Sequence, residues 1–189
     1  AASLTLRPPG APPGVLAITP YPSELVGSYR ARSETLTIRP IRPEDAEAHA
    51  AFFSRLSPQD IRFRFFSALR ELSPEQMARM TQVDYDREMA FIAVREGGGE
   101  TVGVARLVRD LASGGGEFAV AVQPDMKGRG VARHLMQRLI DWGRAQGMQE
   151  IAGQILADNA PMLAFIRRLG FSIRRMPGES DVVEAVLAL

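Results

Sequence analysis

No cysteine occurs anywhere in the 189 residues. That absence removes disulfides, thiolate-bound zinc and a cysteine nucleophile together, and it fits a cytoplasmic protein. Histidine is almost as scarce, with only His49 and His134, far apart and without HExxH spacing, so no metal site is expected. No apolar run approaches the ~18 residues needed to span a bilayer, and no membrane association is expected. The first residues lack a basic stretch followed by an apolar one, so they do not read as a secretory signal. Charge of one sign is missing too. The net charge is +1, which gives no bulk field toward nucleic acid. A local cluster at Arg167, Arg168, Arg174 and Arg175 reads as a solvated face. What remains is ordinary for a globular chain, with 46% hydrophobic and 24% charged residues, enough for one domain with a core.

Residues 1–33 stand apart. Pro8, Pro9, Pro12, Pro13, Pro20 and Pro22 alternate with Gly10, Gly14 and Gly27, a composition that favours an extended arm or linker. Within it, Val15–Thr19 has the makings of a short strand. From residue 34 to 189 the pattern is that of one folded domain. Leu36-Thr-Ile38 alternates as a strand. Arg42-Pro-Glu-Asp45 opens a helix expected to reach about Leu56, and Ser57-Pro58 and Ser73-Pro74-Glu75 open two more. Ile61–Phe66 has an ambiguous period and is read as helical. Glu88–Val94 and Thr101–Val108 are strands around a Gly-rich turn, and Glu117–Val122 is a third. Apolar residues at 131, 132, 135, 136, 139, 140 and 143 mark one face of a helix stopped by Gly147. Gln149–Leu156 is a strand, Ala160–Leu169 a helix, and Phe171–Arg175 and Val182–Leu187 closing strands. This order predicts an α/β (α+β) mixed sheet, with the strands on either side of the helix at 131–146 as parallel neighbours.

The chemistry lies in Val120-Ala-Val-Gln-Pro-Asp-Met-Lys-Gly-Arg-Gly-Val-Ala-Arg133. A buried strand runs into a glycine loop and then an amphipathic helix, which builds an anion site. Gly128 and Gly130 permit backbone conformations closed to other residues and let phosphate oxygens approach the amides. The free N–H groups and dipole of the first helical turn favour negative charge, with Lys127 and Arg129 as nearby cations. The Walker pattern is absent, and Arg133 stands where a Rossmann GxGxxG needs its last glycine.

This stretch resembles the GNAT acyltransferase signature [Q/R]xxGx[G/A], carried here by Lys127, Gly130 and Ala132, with Lys127 in place of the usual glutamine or arginine. Asp158-Asn159-Ala-Pro-Met162, Phe165 and Leu169-Gly-Phe171 resemble the family's second segment. The resemblance spans about Thr35 to Leu189. It implies a mostly antiparallel mixed sheet with helices on both faces and a parallel strand pair at an acyl-CoA site. It also implies acetyl-CoA as cosubstrate, bound by Val120, Ala121, Val122, Lys127, Gly128, Arg129, Gly130, Val131, Ala132, Arg133, Asn159, Met162 and Phe165. Independently, Asp158 or Asn159 suits a helix N-cap.

Leu36–Asp45, Ser57–Phe66 and Glu117-Phe-Ala-Val120 are similar to the bacterial Pat-type protein lysine acetyltransferases. The resemblance implies Glu117 as the catalytic base and, as partner, an AMP-forming acyl-CoA synthetase acetylated on lysine. Leu16–Pro22 resembles the junction to the synthetase-like region that often precedes such domains, so the chain could be excised from a larger fusion. Free lysine has a pKa of about 10.4, so a base is needed. Glu117 heads an apolar strand, where desolvation is expected to suit it to that task. A backbone N–H near Val122 is expected to hold the oxyanion. Tyr21, Tyr29 and Tyr85 are the only tyrosines, and none follows Asn159 as a general acid. Acetylation of a small amine or an N-terminus is the alternative, and a non-catalytic acyl-CoA-sensing module is another. Met77, Met80, Met89 and Trp142 read as packing residues, and His134 as exposed.

Overall fold

A computed structural model describes residues 19–66 and 72–189. Residues 1–18, with most of the strand expected at Val15–Thr19, lie outside them. The alternation at Leu36-Thr-Ile38 becomes β2 (Glu34–Pro40), with Leu36 and Ile38 fully buried. Antiparallel to it runs β1 (Gly27–Ala31), paired from Gly27↔Ile38 to Ala31↔Glu34. The segment read as an arm therefore contributes a strand. Gly27–Ala31 holds no proline, so no N–H that faces β2 is missing from the ladder, and Ala31 is buried in the main core.

The helix expected from Pro43 is a short 3-10 turn, Pro43–Asp45, followed by α1 (Ala46–Ser54). The ambiguous aromatic run is helical, within α2 (Pro58–Phe65), and α3 spans Pro74–Thr81. Each opens as the Ser-Pro pairs predict. Ser57 Oγ accepts from the Asp60 N–H at 3.1 Å, and Ser73 Oγ from the Gln76 N–H at 3.2 Å. Then come β3 (Glu88–Arg95), β4 (Thr101–Arg109), β5 (Gly116–Val122), α4 (Val131–Ala145), β6 (Glu150–Leu156), α5 (Ala160–Arg168), β7 (Ser172–Arg175) and β8 (Val182–Ala188).

The eight strands form one sheet in the order β1-β2-β3-β4-β5-β6-β8-β7. Every neighbouring pair is antiparallel except β5 and β6, as the crossover through α4 demands. Helices cover both faces. Met89, Phe91 and Ala93 of β3 join the α4 side, where Leu135, Met136 and Leu139 are fully buried. Ala90, Ile92 and Val94 face the other side, where α1, α2 and the turn between them pack Phe52, Phe53, Leu56 and Ile61 toward Val104 and Ala121. Burial on both faces explains why β3 reads as an unbroken apolar run. His134 is not exposed. It stacks on Tyr29 of β1 at 4.5 Å, because the edge strand reaches over the start of α4. No helix among the described residues is long and apolar enough to cross a membrane.

Candidate active site

The sheet opens where its only parallel pair fails to continue. β5 and β6 pair at Gly116↔Ile151 and Glu117↔Ala152 and then separate. The Phe118 ring packs on Gly153 just past the last pair, so close that a Cβ on Gly153 would fall 2.6 Å from it. The gap leads into a cavity of about 580 Å³, a size that suits an organic ligand. Backbone groups of β5 serve it. The Gln123 N–H bonds to Val102 C=O at 2.9 Å, and β4 and β5 continue in that register from Gly103↔Val122. Alternation along an antiparallel ladder then gives the Ala121 and Ala119 amides to β4 and turns those of Val120 and Val122 toward the gap. Both residues line the cavity, as does Ala121.

Glu117 sits at the last paired position, on the cavity wall. Its side chain is exposed rather than desolvated by the sheet, because it emerges where β6 diverges.

Below the gap, a short turn at Pro124–Met126 leads into the glycine loop. Gly128 (φ 72°) and Gly130 (φ 83°) both lie in the left-handed region. Gly130 is doubly constrained, since a Cβ there would also collide with the Tyr29 hydroxyl. The first intrahelical bond of α4 runs from the His134 N–H to Gly130 C=O at 3.0 Å. The N–H groups of Val131, Ala132 and Arg133 thus have no intrahelical acceptor and can receive an anion. Lys127, Gly128, Gly130, Val131, Ala132 and Arg133 all line the cavity.

Arg129 does not join them. Its guanidinium turns outward to Glu34 of β2, which holds it at 2.6 Å. Its carbonyl accepts the Tyr29 hydroxyl at 3.0 Å, and the Gly128 carbonyl lies 3.5 Å from Arg32 Nη2. The β1–β2 hairpin therefore holds the loop from behind.

The opposite wall comes from β6 and α5. Asn159 caps α5, its buried Oδ1 accepting from the Met162 N–H at 3.2 Å. One and two turns on, Met162 and Phe165 line the cavity. Among the described residues no cluster of three His, Asp or Glu side chains could hold a metal.

Sequence reasoning missed the third wall, which is α2. Its Asp60, Phe63 and Arg64 line the cavity, and two ion pairs tie it to both sides. Asp60 meets Lys127 at 2.5 Å, and Arg62 meets Asp158 at 2.9 Å. Arg64 is half-buried, and desolvation pulls its guanidinium below its ordinary pKa, with the Glu117 carboxylate opposing. It also borders a small cavity of about 20 Å³ with His49, Phe52, Phe53 and Arg106. Burial first, then Arg106 and Arg64, lower the His49 pKa to about 4. That histidine is neutral at physiological pH and has an unpartnered Nδ1.

The acetyltransferase (GNAT) family profile matches residues 56–171. An acetyltransferase of Pseudomonas aeruginosa is 36% identical over 154 residues, covering 80% of this chain and 83% of its own. The acetyltransferase Pat of Mycolicibacterium smegmatis is 27% identical over 154 residues, covering 81% of this chain and 44% of its own, so this chain spans less than half of that relative. The GNAT domain of S. lividans PAT superposes with a TM-score of 0.83 at 28% identity, over 89% of this chain and 99% of that one. The chain belongs to the GNAT acetyltransferase family, and it is an N-acetyltransferase.

Proposed function

We propose that this protein transfers acetyl from acetyl-CoA directly to a lysine ε-amine of another protein, in the cytoplasm, with an AMP-forming acyl-CoA synthetase as the target class. The observation that carries the reading is the position of Glu117, on the cavity wall at the last β5–β6 pair. The close superposition on a PAT acetyltransferase domain supports the same acceptor class.

In this reading the acetyl-CoA pyrophosphate rests on the Gly128–Gly130 loop and the first turn of α4, with Lys127 and Arg133 beside it. The pantetheine arm passes between β5 and β6 past Asn159, Met162 and Phe165. Glu117 takes a proton from the lysine ammonium, directly or through water. The neutral nitrogen attacks the thioester carbonyl, whose oxygen gains charge near the Val122 amide. Collapse forms the amide and breaks the C–S bond. The coenzyme A thiolate leaves without a strong acid, since a thiol pKa is only about 8.5. The second proton of the attacking nitrogen returns to solvent. With no cysteine to carry an acyl group, transfer proceeds in a ternary complex.

The test is acetyl transfer to a panel of AMP-forming synthetases, with the modified lysine located by mass spectrometry. Lys127 is the chain's only lysine, so self-acetylation is separable at a single position. Glu117→Gln should keep acetyl-CoA binding and lower transfer by about 10²–10⁴. Unchanged turnover would remove Glu117 as the base. Efficient acetylation of spermidine or an aminoglycoside, with no synthetase modified, would replace the protein acceptor by a small amine.

A further inference from the structure

Most cations around this cleft already have an anion. Lys127 has Asp60, Arg62 has Asp158, and Arg129 has Glu34. Arg106 of β4 is paired with Glu88 and also donates to the Met80 carbonyl. Arg133 and Arg168 are solvated at the surface. Arg64 is different. Among the described residues it has no carboxylate at ion-pair distance, yet it is half-buried on the wall of the cleft, its guanidinium 4.9 Å from the centre of the Phe65 ring. A half-buried guanidinium that faces a cleft without a partner is open to an anion entering that cleft. Its neighbour His49 cannot supply one, being neutral and buried.

Its place excludes the cofactor's pyrophosphate as that anion. Arg64 lies one turn of α2, about 6 Å, beyond Asp60, on the same helix face. Asp60 marks the phosphate loop through Lys127, whereas Arg64 feels the charge of Glu117. Glu117, Arg106 and the α2 side chains share one sheet face, since Glu117 alternates with Ala119 and Ala121 away from the α4 core. The acceptor side of the cavity thus presents a carboxylate for an amine and, beside it, an open guanidinium.

We propose that Arg64 is a specificity residue that binds a carboxylate carried by the acceptor. The inference rests on the reading of Glu117 as the group that receives the amine. A planar guanidinium can take a carboxylate through two parallel N–H donations, a geometry that lysine cannot copy. In a protein acceptor the carboxylate is an aspartate or glutamate flanking the target lysine. In a free amino acid it is the α-carboxylate.

Matched acceptors test this at saturating acetyl-CoA. One pair is a lysine peptide with Asp and Glu flanking the lysine and the same peptide with Asn and Gln. The other is a set of free amino acids and their amides. Charge-assisted bidentate bonds predict a preference in kcat/KM of about 10- to 100-fold for the carboxylate-bearing member, mostly in KM. Arg64→Met should erase the preference and Arg64→Lys restore part of it. A preference in the peptide pair supports both the subsite and the protein acceptor. A preference confined to the amino acids supports the subsite and overturns the protein acceptor. Equal rates for both members in each of the two pairs, by the unmodified enzyme, overturn the subsite and leave the acetyltransferase reading standing. A loss in Arg64→Met that is equal for both members overturns it as well, whether or not that variant is destabilised.

Discussion

Replacing Gly130 by alanine attacks the anion loop through two separable costs. A left-handed backbone is disfavoured for any residue with a Cβ by roughly 1–2 kcal/mol, and Gly130 has φ 83°. The new methyl would also meet the Tyr29 hydroxyl, which donates to Arg129 C=O at 3.0 Å. Moving that hydroxyl forfeits a partly buried hydrogen bond, about 1 kcal/mol. Gly130→Ala should therefore cost about 2–3 kcal/mol, a fall in Tm of roughly 4–12 °C for a chain of this size. Tyr29→Phe alone should cost about 1 kcal/mol. In the double variant the collision is relieved and the hydrogen bond is already gone. The two costs should thus fall short of additivity by about 1 kcal/mol, measurable by thermal or urea unfolding. Calorimetric titration with acetyl-CoA should show affinity reduced at least about tenfold in Gly130→Ala, because the loop amides no longer converge. Costs that add to within ~0.3 kcal/mol would refute the coupling of hairpin to loop.

Three further outcomes follow from the same geometry. If the pyrophosphate rests beside Lys127 as proposed, Asp60→Asn frees that lysine for it, and because the pair is half exposed the gain in acetyl-CoA affinity should be modest, about two- to fivefold by titration. Gly153→Ala overpacks the Phe118 ring and should cost about 1–3 kcal/mol in urea unfolding, partly rescued by Phe118→Leu. His49 is neutral in the fold down to about pH 4, while the unfolded chain protonates it near 6.5. The unfolded state binds the extra proton in that window, so stability falls as pH drops from 6.5 to 4, by up to about 3 kcal/mol. A His49→Leu variant should show a shallower acid limb.

The elements legible in sequence were those set by local chemistry. Ser57-Pro58 and Ser73-Pro74 announced their helices because a cap and a first-turn proline act within four residues. The α4 stripe and Gly128–Gly130 were equally plain, since period and positive φ are local properties. Asn159 was readable as a cap for the same reason. What escaped were contacts between distant segments. Asp60–Lys127 and Arg62–Asp158 join residues 67 and 96 apart in the chain, and no period betrays such pairs. The outward turn of Arg129 depended on Glu34, and the burial of His134 on Tyr29, both in strands remote from them. The parallel neighbours β5 and β6 were expected, but not that they pair over only two positions, because separation of the strands leaves both sequences apolar.

The hairpin behind the glycine loop makes the anion site dependent on its far N-terminal side. Tyr29, Arg32 and Glu34 grip Arg129 and Gly128 across about a hundred residues of chain. A domain trimmed at residue 34, where the composition changes, would keep the α4 core yet leave its anion loop without a backstop. The same linkage gives anything joined ahead of β1 a direct mechanical path to the loop. Tension on residues 19–26 would pass through one strand to the glycine loop and the free amides of the first turn of α4, with no need to deform the rest of the sheet.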